Sequence, residues 1–350
     1  MDTKFDLNEK DNLILKAVDI NQFLTNQDFD KINVINSAYD IMIKDKFATP
    51  VAIEQYNGIG KAMQEISKNE ERLHIYPFEM PHETHAEVSR LISKLRDVKT
   101  EKAEFTYYTQ RAYEMLFNFA YGSKKKKAKH YIQVKTPVDY PCDNYAFHKV
   151  NNIDNDIENT VMCVMMRGAL LPSIIMSKEI QEYSSSNHIT PFHLFKIQRD
   201  GTKKIHDMEY ILDLKESFFD TKSLVDKDWI FADPMNATGG SFITILNWLL
   251  KFAKPKSIKF FNIITSLKGA LNVIRAVPEC EVYSLWMDPV LNDKAYIMPG
   301  LGDAGDRING ADNNGYRNVI QLAASYDSNI AGLYKTQFKE IEQTILKLKG

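Results

Sequence analysis

The sequence predicts an α/β fold: a mainly parallel open sheet flanked by helices, with a β-arm and added helical segments at the N- and C-terminal ends. Three features carry this reading. Residues 160–166, Thr-Val-Met-Cys-Val-Met-Met, form a nearly continuous apolar run, the pattern of a parallel strand covered on both faces. Two more such runs, one leading into Asp233 and one over 257–265, follow later in the chain. Segments of helical periodicity separate the strands at short spacing, which argues for right-handed crossovers in one sheet.

At 350 residues and 44% hydrophobic content the chain can bury a large core, as one big domain or as a core with additions. The reading divides it into a helical extension (1–78), a core (79–310) and a tail with a helix (311–350). A formal charge of −2 gives no basis for nucleic-acid or membrane partners. Three widely spaced cysteines fit a reducing compartment and neither a zinc site nor a disulfide framework. With no apolar signal core at the amino terminus and no apolar stretch of membrane length, a cytoplasmic protein is expected.

In the head, periodicity predicts helices over 11–24, 30–43 and 51–66. In the last, Ile53, Ile59, Met63 and Ile66 share roughly one face, while Gly58 and Gly60 weaken the pattern. Helices are then expected over 86–95 and 103–120. Arg96, in the polar break between them, is either a phosphate ligand or a surface arginine paired with Asp97. The lysines of 124–127 read as a solvated loop tip, because no aromatic residue is interleaved. Residues 131–134 and 145–147 have β character around a Pro/Asp/Cys turn and predict a hairpin arm.

The 160–166 strand ends at Arg167-Gly168-Ala169, and a helix is expected over 170–183. Arginine at the carboxyl end of a buried strand meets either an anion or a fixed structural partner, since leaving it unmatched there is costly. A short strand over 192–198 leads to Arg199-Asp200-Gly201, and 210–214 reads as a further strand. His188, His193 and His206 share no metal-ligand spacing.

Residues 228–241 read as strand, loop and helix start. Asp233 ends the strand, and Ala237-Thr238-Gly239-Gly240-Ser241 leads into a helix. The first turn of such a helix offers unpaired N–H groups, the glycines permit close backbone approach, and the hydroxyls add donors. The loop therefore suits a phosphate, with Asp233 accepting from sugar hydroxyls or assisting a divalent cation; ordinary turn glycines with a cap are the alternative. Neither GxxxxGK[ST] nor GxGxxG occurs here.

After a strand (257–265), a helix (269–277) and a strand (282–287) ending at Asp288, the chain reads Tyr296-Ile297-Met298-Pro299-Gly300-Leu301-Gly302-Asp303-Ala304-Gly305-Asp306-Arg307. A loop so rich in glycine and charge is a binding-loop candidate whose backbone could read a small planar base. Asp306 and Arg307 could instead pair with each other to hold it. The terminal segment 333–348 is a charged amphipathic helix.

Together, Leu95-Arg96-Asp97 through Phe105, Met166 through Leu170, Arg199-Asp200, Asp233 through Ser241 and Tyr296 through Gly310 resemble the uracil phosphoribosyltransferase family, of the type I phosphoribosyltransferase fold. The motifs stand in the family's order over about two-thirds of the chain. The resemblance implies transfer of a phosphoribosyl group from 5-phosphoribosyl-1-diphosphate to uracil, giving UMP and diphosphate with Mg²⁺. It places the 5′-phosphate on Ala237, Thr238, Gly239, Gly240 and Ser241, and the diphosphate near Arg96, Arg167, Gly168, Ala169 and Arg199. It sets uracil against Tyr296, Ile297, Gly302 and Asp303. Arg167, Asp233, Asp303 and Arg199 are the catalytic candidates. No direct protein ligand to the metal is expected; Mg²⁺ would ride on the diphosphate, with Asp303 assisting. The family also implies a homodimer or homotetramer.

The chain departs from the family at several places. Gly168-Ala169 stands where Ala-Gly is usual, Lys196 where glycine is common, Asn236 for a leucine, and Asn309 for an aromatic or apolar residue. The alternative to an enzyme is an inactive homologue that binds uracil, UMP or phosphoribosyl diphosphate in a regulatory or structural role.

Overall fold

The computed structural model describes residues 12–17, 19–44, 48–122, 129–199, 209–310, 319–324, 326 and 328–349. The lysines at 124–127, Asp200, Gly201, His206 and the 311–318 segment lie outside them, as does the Arg199 side chain.

Strand β1 (Asn12–Lys16) stands where periodicity predicts the start of a helix over 11–24. Ile14 is exposed and Leu15 buried, and the backbone pairs antiparallel with a strand some two hundred residues later. A free hydrogen-bonding edge there outweighs weak helical patterning. Thr25 and Asp28 form a reciprocal capping box that starts α1 (Asn26–Met42), and Thr49 followed by Pro50 starts α2 (Pro50–Lys68). Next come β2 (Leu73–Ile75), α3 (Tyr76–Glu79), α4 (His85–Arg96) and α5 (Lys102–Phe117).

The arm is a separate antiparallel pair, β3 (Lys129–Lys135) and β4 (Tyr145–Asn151). After α6 (Asp154–Ile157), every residue of β5 (Thr160–Met166) is buried. Helix α7 (Leu170–Tyr183), β6 (Phe192–Arg199) and β7 (Glu209–Phe218) follow. Strand β8 (Asp228–Ala232), the short β9 (Met235–Asn236) and α8 (Gly240–Leu249) make the strand-loop-helix unit. Strand β10 (Ser257–Ser266), α9 (Leu267–Ala276) and β11 (Cys280–Asp288) repeat the alternation. A small hairpin, β12 (Val290–Leu291) with β13 (Ile297–Met298), leads to α10 (Ala304–Asn309). The tail carries α11 (Val319–Ala324), α12 (Ser328–Leu333) and α13 (Lys335–Lys349).

Among the described residues the main sheet has nine strands in the order β1-β7-β6-β5-β8-β10-β11-β2, with β9 beside β10. From β6 to β2 all neighbours are parallel; β7 and β1 add antiparallel pairs at one end. The mainly parallel α/β sheet read from the sequence is thus the fold, but the head is more than helical, since it supplies both end strands. One hydrophobic core runs from Leu15 and Tyr39 through Trp229 and Phe260 to Tyr334 and Ile345. At its centre Phe242 of α8 stacks on Phe260 of β10, centroids 4.1 Å apart.

From β5 the chain crosses through α7 to β6 on one side, and from β8 through α8 to β10 on the other. The order reverses between β5 and β8, and open α/β sheets bind ligands in the crevice at the carboxyl ends of such strands. Arg167 and Asp233 follow those two strands directly.

Candidate active site

The loop after β8 is shaped for close approach and held from below. Gly239 caps α8 at φ +78°, and a Cβ there would lie 2.9 Å from Val273 Cγ2, so glycine answers both a left-handed turn and a tight contact. The N-cap and second turn of α9 support the loop. Ser266 Oγ donates to the Ala237 carbonyl at 2.5 Å and accepts from Gly269 N–H at 2.8 Å, while Asn272 Nδ2 donates to the Thr238 carbonyl at 2.9 Å. Thr238 Oγ1 accepts from Gly240 N–H at 3.1 Å. The Tyr210 hydroxyl of β7 would lie 2.6 Å from a Cβ on Gly240, which brings the antiparallel end of the sheet to this loop. Asn236 is buried; its Nδ2 donates to Thr265 Oγ1 at 3.0 Å and its Oδ1 has no hydrogen-bond partner among the described residues.

Asp233 accepts from Met235 N–H at 3.1 Å, and Asn262 Nδ2 donates to its carbonyl at 3.0 Å. Burial pushes its carboxyl up to about 6, against the pull of the Met235 hydrogen bond and with a further push from the Asp303 carboxylate. Tyr113 of α5 is fully buried, its hydroxyl has no hydrogen-bond partner among the described residues, and burial, with the Asp233 charge, raises its pKa well above the usual phenol value. A carboxylate facing another carboxylate is a place that favours an incoming cation or sugar hydroxyls.

Arg167 follows β5 through a cis peptide bond. Its guanidinium donates to Asp306 Oδ1 and to the Gly310 carbonyl, both at 3.0 Å. A Cβ on Gly168 would come within 3.5 Å of Gly305 Cα, so the Arg167-Gly168-Ala169 loop lies against the 303–306 turn. Asn309 Nδ2 donates to the Arg167 carbonyl at 3.4 Å and its Oδ1 accepts from the Tyr326 hydroxyl at 3.3 Å, which gives this side chain a polar role.

The glycine-rich loop after β13 is pinned from two directions. Asp288, buried at the end of β11, takes Arg96 Nη2 at 2.6 Å and Nη1 at 3.0 Å, and also accepts from Gly300 N–H at 2.9 Å. Arg96 Nη1 donates in addition to the Gly300 carbonyl at 3.0 Å. Arg96 therefore pairs with Asp288 and not with Asp97, because the buried acid outcompetes an exposed neighbour in sequence. The alternative Asp306–Arg307 pair does not form either. Arg307 donates to the carbonyls of Leu95, Leu301, Asp97 and Thr100 and sits 4.1 Å over the Phe105 ring, and Asp306 goes to Arg167. Gly300 and Gly302 have φ +62° and +78°. Asp303 caps α10 by accepting from Asp306 N–H at 3.0 Å. Ile297 is buried and paired with Leu291, while Tyr296 is half exposed.

A profile of the uracil phosphoribosyltransferase family matches residues 82–311. The chain belongs to that family. It is 47% identical over 89 residues to a uracil phosphoribosyltransferase of Ureaplasma parvum, a stretch covering 25% of this chain and 42% of that protein. It is also 47% identical over 85 residues to the corresponding protein of a Geobacillus species, 24% of this chain and 40% of that one. The chain thus spans about two-fifths of the length of these curated relatives. A solved structure of a protein from Aquifex aeolicus overlaps 68% of this chain and 98% of its own, at 23% identity and TM-score 0.46. Among the described residues no helix is long and apolar enough to cross a membrane.

The structure brings Arg167, Gly168 and Ala169, Asp233, the 237–241 loop and Asp303 to one edge of the sheet. It turns Arg96 onto Asp288, and the Arg199 backbone ends β6 paired with Tyr210. Sequence reasoning missed Asp288, Ser266, Asn272, Tyr210 and Tyr113. Asp288 and Ser266 carried a signal, since both end parallel strands at the ligand-binding edge; the other three are placed only by tertiary packing.

Proposed function

We propose that this chain transfers the 5-phosphoribosyl group of 5-phosphoribosyl-1-diphosphate to uracil, releasing diphosphate and UMP in pyrimidine salvage. The observation that carries the reading is the contact of Gly168 with Gly305, which sets the diphosphate-side loop against the base-side loop at the switch point where Asp233 also lies. In the reaction the bond from the anomeric carbon to diphosphate breaks, a bond from uracil N1 to that carbon forms, and the N1 proton leaves.

The 237–241 loop holds the 5′-phosphate, Asp233 accepts from the ribose hydroxyls, and Arg167 and Arg199 face the diphosphate. Arg96 acts at one remove, by fixing the Gly300 turn through Asp288. Main-chain groups at Ile297 and Gly302 read uracil beside Tyr296. Charge grows on the departing diphosphate while the ribose becomes cationic, so fixed N–H groups and guanidinium favour the transition state over bound substrate. Positioning uracil N1 carries the rest.

The residues fit Mg²⁺. The Asp303 charge adds to the push that burial gives the Asp233 carboxyl, and a cation placed beside Asp233 would relieve it. Asp303 and Asp233 would help hold it, with the diphosphate and water supplying its other ligands. When bound it neutralises charge on the leaving group.

Incubation of the full chain with labelled uracil, phosphoribosyl diphosphate and Mg²⁺ should give UMP and uracil-dependent diphosphate release. Absence of UMP under every condition overturns the reading. A homologue that binds uracil, UMP or phosphoribosyl diphosphate without turnover is the second reading. The occupation of Arg167 by Asp306 and Gly310 favours it, and binding without UMP formation would establish it.

The proposed partner is a second copy of the chain, as homodimer or homotetramer, seated on the arm. Tyr131 and Phe147 there are each 66% exposed and Tyr140 is 88% exposed. A sedimentation mass of one chain at micromolar concentration would remove that proposal. We place the protein in the cytoplasm, where Cys142, Cys163 and Cys280 would stay as the free thiols they are here.

A further inference from the structure

A cavity of about 590 Å³ lies between the head and the base loop. Its walls come from α1 and α2 on one side, including Tyr39 and Gly60, and from Phe78, Trp286 and Pro299 on the other. Flat aromatic walls suit a flat ring, and the volume is in the range of small-molecule sites. Among its described lining residues Asp288 is the one acid, and Arg96 already matches it in a bidentate pair. Lys61 also lines the cavity and leaves one cation there beside the matched Arg96–Asp288 pair, while the His82 and His85 rings add hydrogen-bonding groups.

Gly60 has no local reason to be glycine. It sits inside α2, its φ is not positive, and a Cβ there would meet nothing within 4 Å. Glycine is among the least favourable residues in a helix interior, so the missing side chain weakens α2 while leaving the cavity open. The head thus makes room at the place where it faces the core.

We propose that this cavity binds a flat aromatic or heteroaromatic molecule bearing one anionic group, of nucleoside size or smaller, and that its occupancy acts on the base loop. The connection is short. Pro299 lines the cavity, the next residue, Gly300, is bonded through both N–H and carbonyl to the Asp288–Arg96 pair, and Asp288 and Arg96 line the cavity too. The effect on uracil rests on the proposed transfer reaction; the binding does not.

The test titrates the full chain with 1-anilinonaphthalene-8-sulfonate, a flat aromatic monoanion, and follows energy transfer from tryptophan. Trp229 and Trp248 are buried elsewhere in the core, leaving Trp286 as the donor at the cavity. Binding should saturate at one probe per chain. Gly60→Phe should weaken it at least tenfold, with Gly60→Leu as a smaller plug where the first variant does not fold. Gly58→Ala, on an exposed turn of the same helix where a Cβ also meets nothing, should leave it unchanged. Trp286→Phe should keep binding and lose most of the transfer. Non-saturating binding, or equal affinity in the filled variants, overturns the site. With the probe bound and phosphoribosyl diphosphate saturating, KM for uracil should shift at least twofold while Gly60→Phe abolishes the shift; an unmoved KM in an active protein overturns the action on the loop.

Discussion

Arg167 donates to the Asp306 carboxylate at 3.0 Å, which ties the end of β5 to α10. In the proposed reaction the incoming diphosphate competes with Asp306 for this guanidinium. Arg167→Ala should lower turnover by about 10²-fold or more, the usual scale for losing one donor to developing charge. The check is kcat at saturating substrates, and an unchanged value removes the role. Asp306→Asn, which releases the guanidinium, should keep most of the turnover.

Asp233 makes stability depend on pH. Its carboxyl is pushed up to about 6 in the folded chain, against 3.8 in an unstructured one. The folded state therefore binds more protons between those values, stability falls as pH rises through that window, and above it the fold carries the full cost of holding that charge. Asp233→Asn should raise stability at pH 7.5 by up to about 3 kcal/mol and give no gain below about pH 4. Thermal melts at the two pH values decide this. The variant should also lose turnover, since neutral Asn accepts more weakly from ribose hydroxyls.

Asp288 accepts three hydrogen bonds from two partners in a buried place, so Asp288→Ala leaves the Arg96 Nη2 and the Gly300 N–H unmatched. The expected loss is about 3 kcal/mol or more of stability. Uracil KM should rise more than the KM for phosphoribosyl diphosphate. Equal changes in both would point away from a base-loop role.

Gly239→Ala places a methyl in a left-handed turn 2.9 Å from Val273 Cγ2. A destabilisation of about 1–2 kcal/mol follows from the backbone alone. KM for phosphoribosyl diphosphate should rise, because the loop cannot keep its shape. Denaturant titration with steady-state kinetics reads both.

Asn236→Leu removes a buried carbonyl oxygen that has no hydrogen-bond partner among the described residues. The Thr265 hydroxyl still donates to the Ser266 carbonyl at 3.1 Å. The variant should gain about 1 kcal/mol, since an unmatched buried polar atom costs that much or more. A lower melting temperature would show that Asn236 is needed for the loop's shape.

How much of this was readable in the residues depends on the range of the interaction. Strand β5 and helix α7 begin and end where the apolar run and its periodicity say, because burial on both faces writes itself locally. Strand β1 was not readable as a strand, since what makes it one is the free edge of β7. The loop after Asp233 was legible as a glycine turn leading into a helix, yet its supports, Ser266 and Asn272, lie on the next strand-helix unit. Arg96 shows the limit most plainly. Its neighbour Asp97 is the obvious partner in sequence, while its real partner, Asp288, is 192 residues away.

The placement of β1 and β2 at the two ends of the main sheet has a consequence for how the chain comes to be folded. During synthesis the first strand leaves the ribosome long before its partner, since Asn12 pairs with Asp213 and Leu73 with Val282. Both head strands must wait unpaired while the centre of the sheet is still being made, which places this chain among slow folders of high contact order and makes its first seventy-five residues the stretch most in need of protection before release.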